Sequence, residues 1–479
     1  MTTDVPENAS DLISFIDRAV DCYADRYCLE DLTYDDLNAF IKAKAQEWRG
    51  CGLRAGDRVA LQVEDRTMMI LCTLAVLHYG AIPVLLHSYF SIEQATACVQ
   101  ATGARFYLQG IRGTLRNVYN STWVDYGDEE NLSHLVLIAS TSGTTGMANL
   151  VQHSNQAILS NVRAILTYLN VESGNIILIL RDPSYLSVLT GEVLVSLARG
   201  CHMCLSSFSM TPRSLITQIV ETNATMVVSV ASLFHFALQP IRLHAAELRG
   251  LAFLVFVGEG ASLPLLAELH DLLPTTRIFH CYGLTEAGPR VTYWSQQEHP
   301  LESFCVGVPL PDVAVRCVDE QRRLVAPGAA GHIEVKSPSL MLGYVGQPRL
   351  EDDWLETQDW GWLDEWGHVY IQGRIDDVIV RGGVKVPAAL IEDVLVRHPA
   401  VLGVVVHGIT NSPYHMRIEG VVVLNEGASI TDDELLQWCR QHLPRPMWPQ
   451  TIRVVSELPR KHNGKLDRRP TLTSESGRE

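Results

Sequence analysis

Short apolar runs set between stretches of helical spacing recur through the first two-thirds of this chain. Ile176-Ile177-Leu178-Ile179-Leu180, Met226-Val227-Val228-Ser229-Val230 and Leu251-Ala252-Phe253-Leu254-Val255-Phe256 each read as a strand. Strands alternating with helices in this way predict an α/β fold. Ser91-Ile92-Glu93-Gln94 has the spacing of a capping box, with a hydroxyl at the N-cap and a Gln three residues on, so a helix should begin there. Arg277-Ile278-Phe279-His280-Cys281 reads as a further strand running into a loop.

From about Val306 the texture shifts to Gly, Pro and short β-prone segments such as Gly331-His332-Ile333-Glu334-Val335 and His368-Val369-Tyr370-Ile371. This predicts a small β-rich subdomain. Past Asp376 come Val378-Ile379-Val380, the pair Gly382-Gly383, and helical spacing over residues 387–397. A chain of 479 residues is too long for one ordinary core. The expected division is a large N-terminal domain of α/β subdomains over residues 1–376, with the β-rich part from about 306, and a small mobile α+β C-terminal domain over residues 377–479.

Composition narrows the partners. A formal net charge of -16 argues against nucleic acid, whose binders need a basic face. Residues 68–86 are the most apolar stretch, but His78, Tyr79, Gly80 and Pro83 interrupt it, so it reads as a buried helix running into a strand and not as a membrane span. The opening residues lack the basic and apolar regions of a secretory signal, and a cytoplasmic location is expected. Eleven cysteines without a framework suit reduced thiols. Cys201-His202-Met203-Cys204 has CxxC spacing but no second pair to complete a zinc site, so core cysteines on a strand are expected.

Four segments carry the chemistry. Ser140-Thr141-Ser142-Gly143-Thr144-Thr145-Gly146 is a hydroxyl- and glycine-dense loop able to wrap phosphate oxygens, and it lacks the Gly-x-x-x-x-Gly-Lys of a Walker loop. Tyr282-Gly283-Leu284-Thr285-Glu286, Gly373-Arg374-Ile375-Asp376-Asp377 and Leu458-Pro459-Arg460-Lys461-His462-Asn463-Gly464-Lys465-Leu466-Asp467 follow in that order. With Leu32-Thr33-Tyr34, Gly56-Asp57-Arg58-Val59-Ala60-Leu61 and Gly80-Ala81-Ile82-Pro83-Val84, the set resembles the adenylate-forming ligase superfamily of acyl-CoA synthetases, stand-alone adenylation domains and luciferases.

The resemblance implies an enzyme that uses ATP and Mg2+ to convert a carboxylate to acyl-AMP and pyrophosphate. It then passes the acyl group to a thiol of coenzyme A or of a carrier-protein phosphopantetheine arm, so an acyl or peptidyl carrier protein is a possible partner. Transfer to an amine, giving an amide, and a non-catalytic ATP-binding regulator are the alternatives. By the same resemblance Thr141, Ser142, Gly143, Thr144, Thr145, Gly146 and Gly258 belong to the nucleotide site. Tyr282 would stack on adenine, Thr285 contact the α-phosphate, Glu286 bind magnesium, and Asp359 and Arg374 meet the ribose. Lys465 would stabilise the adenylation transition state, carried on a domain that turns about Asp376.

The chain also departs from its relatives. Ala148-Asn149-Leu150 stands where Pro, Lys and Gly usually follow the phosphate loop, and Gln358 replaces the usual glycine before Asp359. In the acyl pocket, Ser187 stands where amino-acid-activating relatives place an aspartate for the substrate ammonium. A free α-ammonium would be left unpaired there, so an acid without a free α-amino group is expected. Tyr185 falls at an aromatic gate position. Arg290 either lines the pocket and pairs a second anionic or polar group, or is a surface arginine.

Overall fold

The computed structural model describes residues 6–110, 114–117, 134–141, 148–207, 211–348, 352–381, 384–412, 415–425 and 427–459. A nine-stranded sheet forms its centre. The order across it is Val308–Pro309, Thr292–Ser295, Arg277–Tyr282, Phe253–Val257, Met226–Ser229, Ile176–Ile179, His202–Leu205, Tyr27–Leu29 and Leu32–Thr33. The strands from Arg277–Tyr282 across to Tyr27–Leu29 are all parallel.

Neighbouring residues on these strands enter different cores. Met226, Val228, Phe253 and Val255 pack into one apolar cluster, while Val227, Leu254 and Phe256 pack into another on the opposite face. A parallel sheet covered on both sides needs apolar residues at every position, which is why the runs show no alternation. Leu355–Leu363 behaves differently, its first five residues alternating buried and exposed. It belongs to a four-stranded antiparallel sheet with Ala314–Val318, Gly331–Lys336 and Val369–Arg374, which turns polar residues outward on one face.

A seven-stranded sheet runs Gly343–Tyr344, Asn149–Ser154, Leu135–Thr141, Ile82–Leu85, Arg58–Val63, Phe106–Gly110 and Thr114–Asn117. The apolar stretch 68–86 is the helix Arg66–His78 followed by the strand Ile82–Leu85. No helix among the described residues is long and apolar enough to cross a membrane. The helix Ile92–Thr102 starts at an N-cap Ser91 with both capping-box bonds in place. Cys201 and Cys204 are buried at the strand His202–Leu205, and none of the eleven cysteines forms a disulfide.

The fourth sheet holds Val384–Pro387, Val378–Arg381, His415–Leu424 and Val401–Ser412, with Thr451–Val454 beside His415–Leu424. Helices Ala388–Val396 and Asp432–His442 supply Ile391, Leu395 and Leu435 to an apolar core shared with Val406, Ile418 and Val422. That core draws on no residue before Ile379. The chain enters this region through the single turn Ile375–Asp377, which contains Asp376. Polar contacts also reach across, with the Ser303 hydroxyl donating to Asp393 at 3.0 Å and Arg397 donating to Ser303 at 2.9 Å.

Candidate active site

The parallel strands Phe253–Val257 and Arg277–Tyr282 end side by side, with Val257 registered against Cys281. Gly258 therefore emerges next to Tyr282, and its φ of 84° is one that glycine adopts without a Cβ penalty. The carboxyl ends of parallel strands are where α/β sheets hold ligands. Beyond Tyr282 the chain doubles back tightly. A Cβ on Gly283 would lie 1.8 Å from the Pro289 carbonyl oxygen, so no larger residue fits there. The doubled-back segment carries the turn Thr285–Ala287.

Three sheets meet around this segment. The Tyr282 hydroxyl donates to Asp359 Oδ2, and Asp359, only 7% exposed, comes from the antiparallel sheet. Arg374 is registered opposite Asp359 on the adjacent strand. Its Nε lies 3.4 Å from Asp359 Oδ1, and its Nη1 donates to the Thr357 carbonyl at 2.8 Å. Tyr344, from the edge of the seven-stranded sheet, donates through its hydroxyl to Glu286 Oε1 at 2.8 Å. The Met341 N–H holds the Glu286 carbonyl at 2.8 Å.

These contacts set the local electrostatics. Burial lifts the Asp359 carboxyl above the usual carboxylate range, while Arg374 and the Tyr282 hydroxyl oppose that rise. Burial, and then the charge of Asp359, push the Tyr282 phenol well above its ordinary value. Tyr344 is raised by burial first and the Glu286 charge second. Gln358 sits at a φ of 63°, in the left-handed region. That conformation accounts for glycine being the usual residue before the aspartate. The result is an aromatic ring, a buried carboxylate able to accept from a vicinal diol, and an oxygen donor suited to a hard cation, all around one loop.

Of the other expected residues, Thr141 ends the strand Leu135–Thr141 and is registered against Asn149, which is exposed. Ser142, Gly143, Thr144, Thr145, Gly146 and Lys465 lie outside the described residues. Tyr185 is half-buried, its ring centroid 4.4 Å from that of His87, whose Nδ1 shares a 2.7 Å hydrogen bond with the Ser184 hydroxyl. Ser187 accepts from Arg181 Nη1 at 2.8 Å. Arg290 is 2% exposed, so the surface alternative is wrong: Asn161 binds both its backbone N–H and its carbonyl, drawing the side chain into the interior.

Tyr344, Thr357, Arg181 and Glu192 belong to the surroundings of the site and were not anticipated from the sequence. Glu192 did leave a trace, as the one charged residue in the otherwise apolar or neutral stretch 182–198 after Asp182. Tyr344 left none, because its partner is 58 positions away.

Two family models match the chain. The one described as AMP-binding enzyme covers residues 16–345, and the one described as AMP-binding enzyme C-terminal domain covers residues 390–465. A long-chain-fatty-acid–CoA ligase of Salmonella typhimurium is 25% identical over 97% of this chain and 94% of its own length. A 2-succinylbenzoate–CoA ligase of Bacillus velezensis is 28% identical over 92% of each chain. Among solved structures, the amide bond synthetase McbA from Marinactinospora thermotolerans superposes with a TM-score of 0.83 at 22% identity, covering 95% of this chain and 98% of that one. With the first family model alone spanning residues 16–345 of 479, this chain belongs to the AMP-binding enzymes.

Proposed function

We propose that this protein is an ATP-dependent acid–thiol ligase. The observation that carries the reading is the convergence of Tyr282, Glu286, Asp359 and Arg374 from separate strands and turns on one loop. In this reading a carboxylate oxygen of the acid attacks the α-phosphorus of ATP, the bond to the bridging oxygen breaks, and pyrophosphate leaves. The sulfur of coenzyme A or of a phosphopantetheine arm then attacks the acyl carbon. AMP departs with the electron pair of the carbon–oxygen bond, and the thiol proton is released.

Asp359 accepts from the ribose hydroxyls, with the Arg374 guanidinium opposing the rise that burial gives its carboxyl; Tyr282 offers its ring to the adenine. Glu286 would hold magnesium, which neutralises charge on the phosphates, and Thr285 stands beside it for the α-phosphate. The hydroxyls and N–H groups of residues 141–146 receive the phosphate oxygens. Lys465 supplies positive charge at the transition state from the C-terminal region, which turns about Asp376 to admit the thiol. A cytoplasmic location and a division near Asp376 are part of the same reading. Arg181, itself paired with Glu192, already occupies the Ser187 hydroxyl, so an α-ammonium at position 187 would find a neutral, engaged hydroxyl where it needs an anion. This supports acids lacking a free α-amino group.

The test is acid-dependent ATP–pyrophosphate exchange over aryl, fatty, dicarboxylic and amino acids, followed by mass spectrometry with coenzyme A, phosphopantetheinyl carrier protein or an amine as acceptor. Exchange and a thioester product are expected. Fastest exchange with standard L-amino acids, or an amide as the dominant product, would contradict the reading. No exchange with any acid would leave a nucleotide-binding protein without this chemistry.

A further inference from the structure

One backbone layer behind the nucleotide loop lies a buried cluster of charge. The Arg290 Cα would be 3.0 Å from a Cβ placed on Gly283, so the side chain of Arg290 starts at the loop and runs inward. Its Nη1 donates to the Tyr168 hydroxyl at 2.5 Å and faces Cys281 Sγ at 3.6 Å. Neither partner is a carboxylate. Arg290 Nε and Nη2 are buried with no hydrogen-bond partner among the described residues.

Nη2 packs directly against Gly191, where an added Cβ would lie 2.6 Å from it. Gly191 lies in the π-helical segment Leu189–Leu194, a widened turn of the kind frequently found at functional sites. The next residue, Glu192, is fully buried. Its Oε1 accepts from Arg181 Nη2 at 2.6 Å, and its Oε2 has no partner among the described residues. Arg181 Nε is likewise buried and unpartnered. Arg66 also acts on Glu192, but its guanidinium is used by the Ile179, Arg181 and Ser206 carbonyls and the Ser206 hydroxyl.

Arg66, Arg181 and Arg290 against Glu192 and Asp182 still leave a net positive charge, and among the described residues the unpartnered N–H groups of Arg290 and Arg181 outnumber the one open acceptor. Leaving buried charge unpaired is costly, so donors of this kind suit an anionic group. A carboxylate matches a guanidinium fork in both charge and geometry. A neutral aliphatic acid would leave these donors empty.

We propose that the acid activated here is a dicarboxylic acid, its second carboxylate received by the unpartnered donors of Arg290 and Arg181 beneath Gly191 and Glu192. This rests on the ligase reading and specifies its substrate class. The first carboxylate reacts at the Thr285–Glu286 side, while the second remains unmodified and sets specificity. Glu192 orients Arg181 and is a positioning residue.

The experiment is pyrophosphate exchange on the full chain with matched acids: butyrate against succinate, hexanoate against adipate, and benzoate against isophthalate. In at least one pair the dicarboxylate should exceed its partner by about tenfold or more in kcat/KM. Arg290→Met should bring that ratio close to one, and Arg290→Lys should retain part of it. Should Arg290→Met fail to fold, Gly191→Ala serves, since its methyl displaces Nη2 and should lower the ratio while AMP binding persists. Monocarboxylates leading in every pair would overturn the proposal and leave the ligase reading standing, as would an unchanged ratio in folded Arg290→Met. Absence of exchange with every acid tested would overturn both.

Discussion

The two ends of the segment from Tyr282 to Arg290 differ in how far the protein satisfies its own polar groups. At the nucleotide end Tyr282, Asp359, Arg374, Glu286 and Tyr344 each have a partner within the fold. At the end proposed to take the acid, Arg290, Arg181 and Glu192 each keep at least one buried atom without one among the described residues. The difference follows from where the partners originate. The nucleotide end is assembled from three sheets whose registers bring complementary groups together, as Asp359 opposite Arg374 illustrates. The end proposed to take the acid draws on one strand end, the π-helical turn and the helix Asn155–Tyr168, whose Asn161 and Tyr168 hold Arg290, and these leave some of its buried donors unused among the described residues. In the proposed reading, a site arranged this way would recognise its nucleotide with a preformed surface and select its acid through buried groups that penalise the wrong one.

The largest effect should come from Lys465→Ala. Loss of a cation at the reacting phosphate should slow acyl-AMP formation on the order of a hundredfold to a thousandfold, as removal of a preorganised donor does. Thioester formation from supplied acyl-AMP should largely survive, and equal loss in both half-reactions would place Lys465 in shared binding instead. Asp359→Ala comes next: losing hydrogen bonds to a charged group, about 1.5–3 kcal/mol, should weaken ATP and AMP by about tenfold to a hundredfold. The loss should be the same whichever acid is present. An acid-dependent loss would erase the distinction between the two ends. Glu286→Gln should raise the magnesium concentration needed for half-maximal exchange with little change in thermal stability, because an amide oxygen is a poorer ligand for a hard cation. Superimposable magnesium titrations would make Glu286 an anchor for Tyr344 only. Smallest of all, Gln358→Gly should stabilise the fold by a few tenths of a kcal/mol, the left-handed strain relieved being partly offset by a freer unfolded chain. Chemical denaturation would measure it, and lower stability would show that the Gln358 side chain contributes more than its backbone costs.

Much of the scaffold could be read from local pattern because local burial dictates it. Strands covered on both faces are apolar throughout, so the runs at 176, 226 and 253 stood out, although Leu251 and Ala252 precede the observed strand Phe253–Val257. Ser91 and Gln94 interact with each other across three residues, and their capping box was legible for that reason. The helix expected over residues 387–397 is Ala388–Val396. Partnerships between sheets left no such trace. Nothing near Glu286 points to Tyr344, and nothing near Tyr282 points to Asp359 except the family pattern. Arg290 misled in the opposite sense, since arginines are mostly exposed and only the fold brings Asn161, Tyr168 and Gly191 around it. Gln358 read as a departure from pattern, whereas its φ of 63° shows that the backbone conformation was kept while the residue changed.

The central claim, a finished nucleotide end beside an acyl end awaiting its ligand, is tested most directly by calorimetric titration of AMP into the acid-free protein and its Arg290→Met and Asp359→Ala variants. The account predicts that AMP binds the parent without acid, binds Arg290→Met within about twofold of the parent, and binds Asp359→Ala at least about tenfold more weakly. AMP binding that requires the acid, or that falls as steeply in Arg290→Met as in Asp359→Ala, would contradict it.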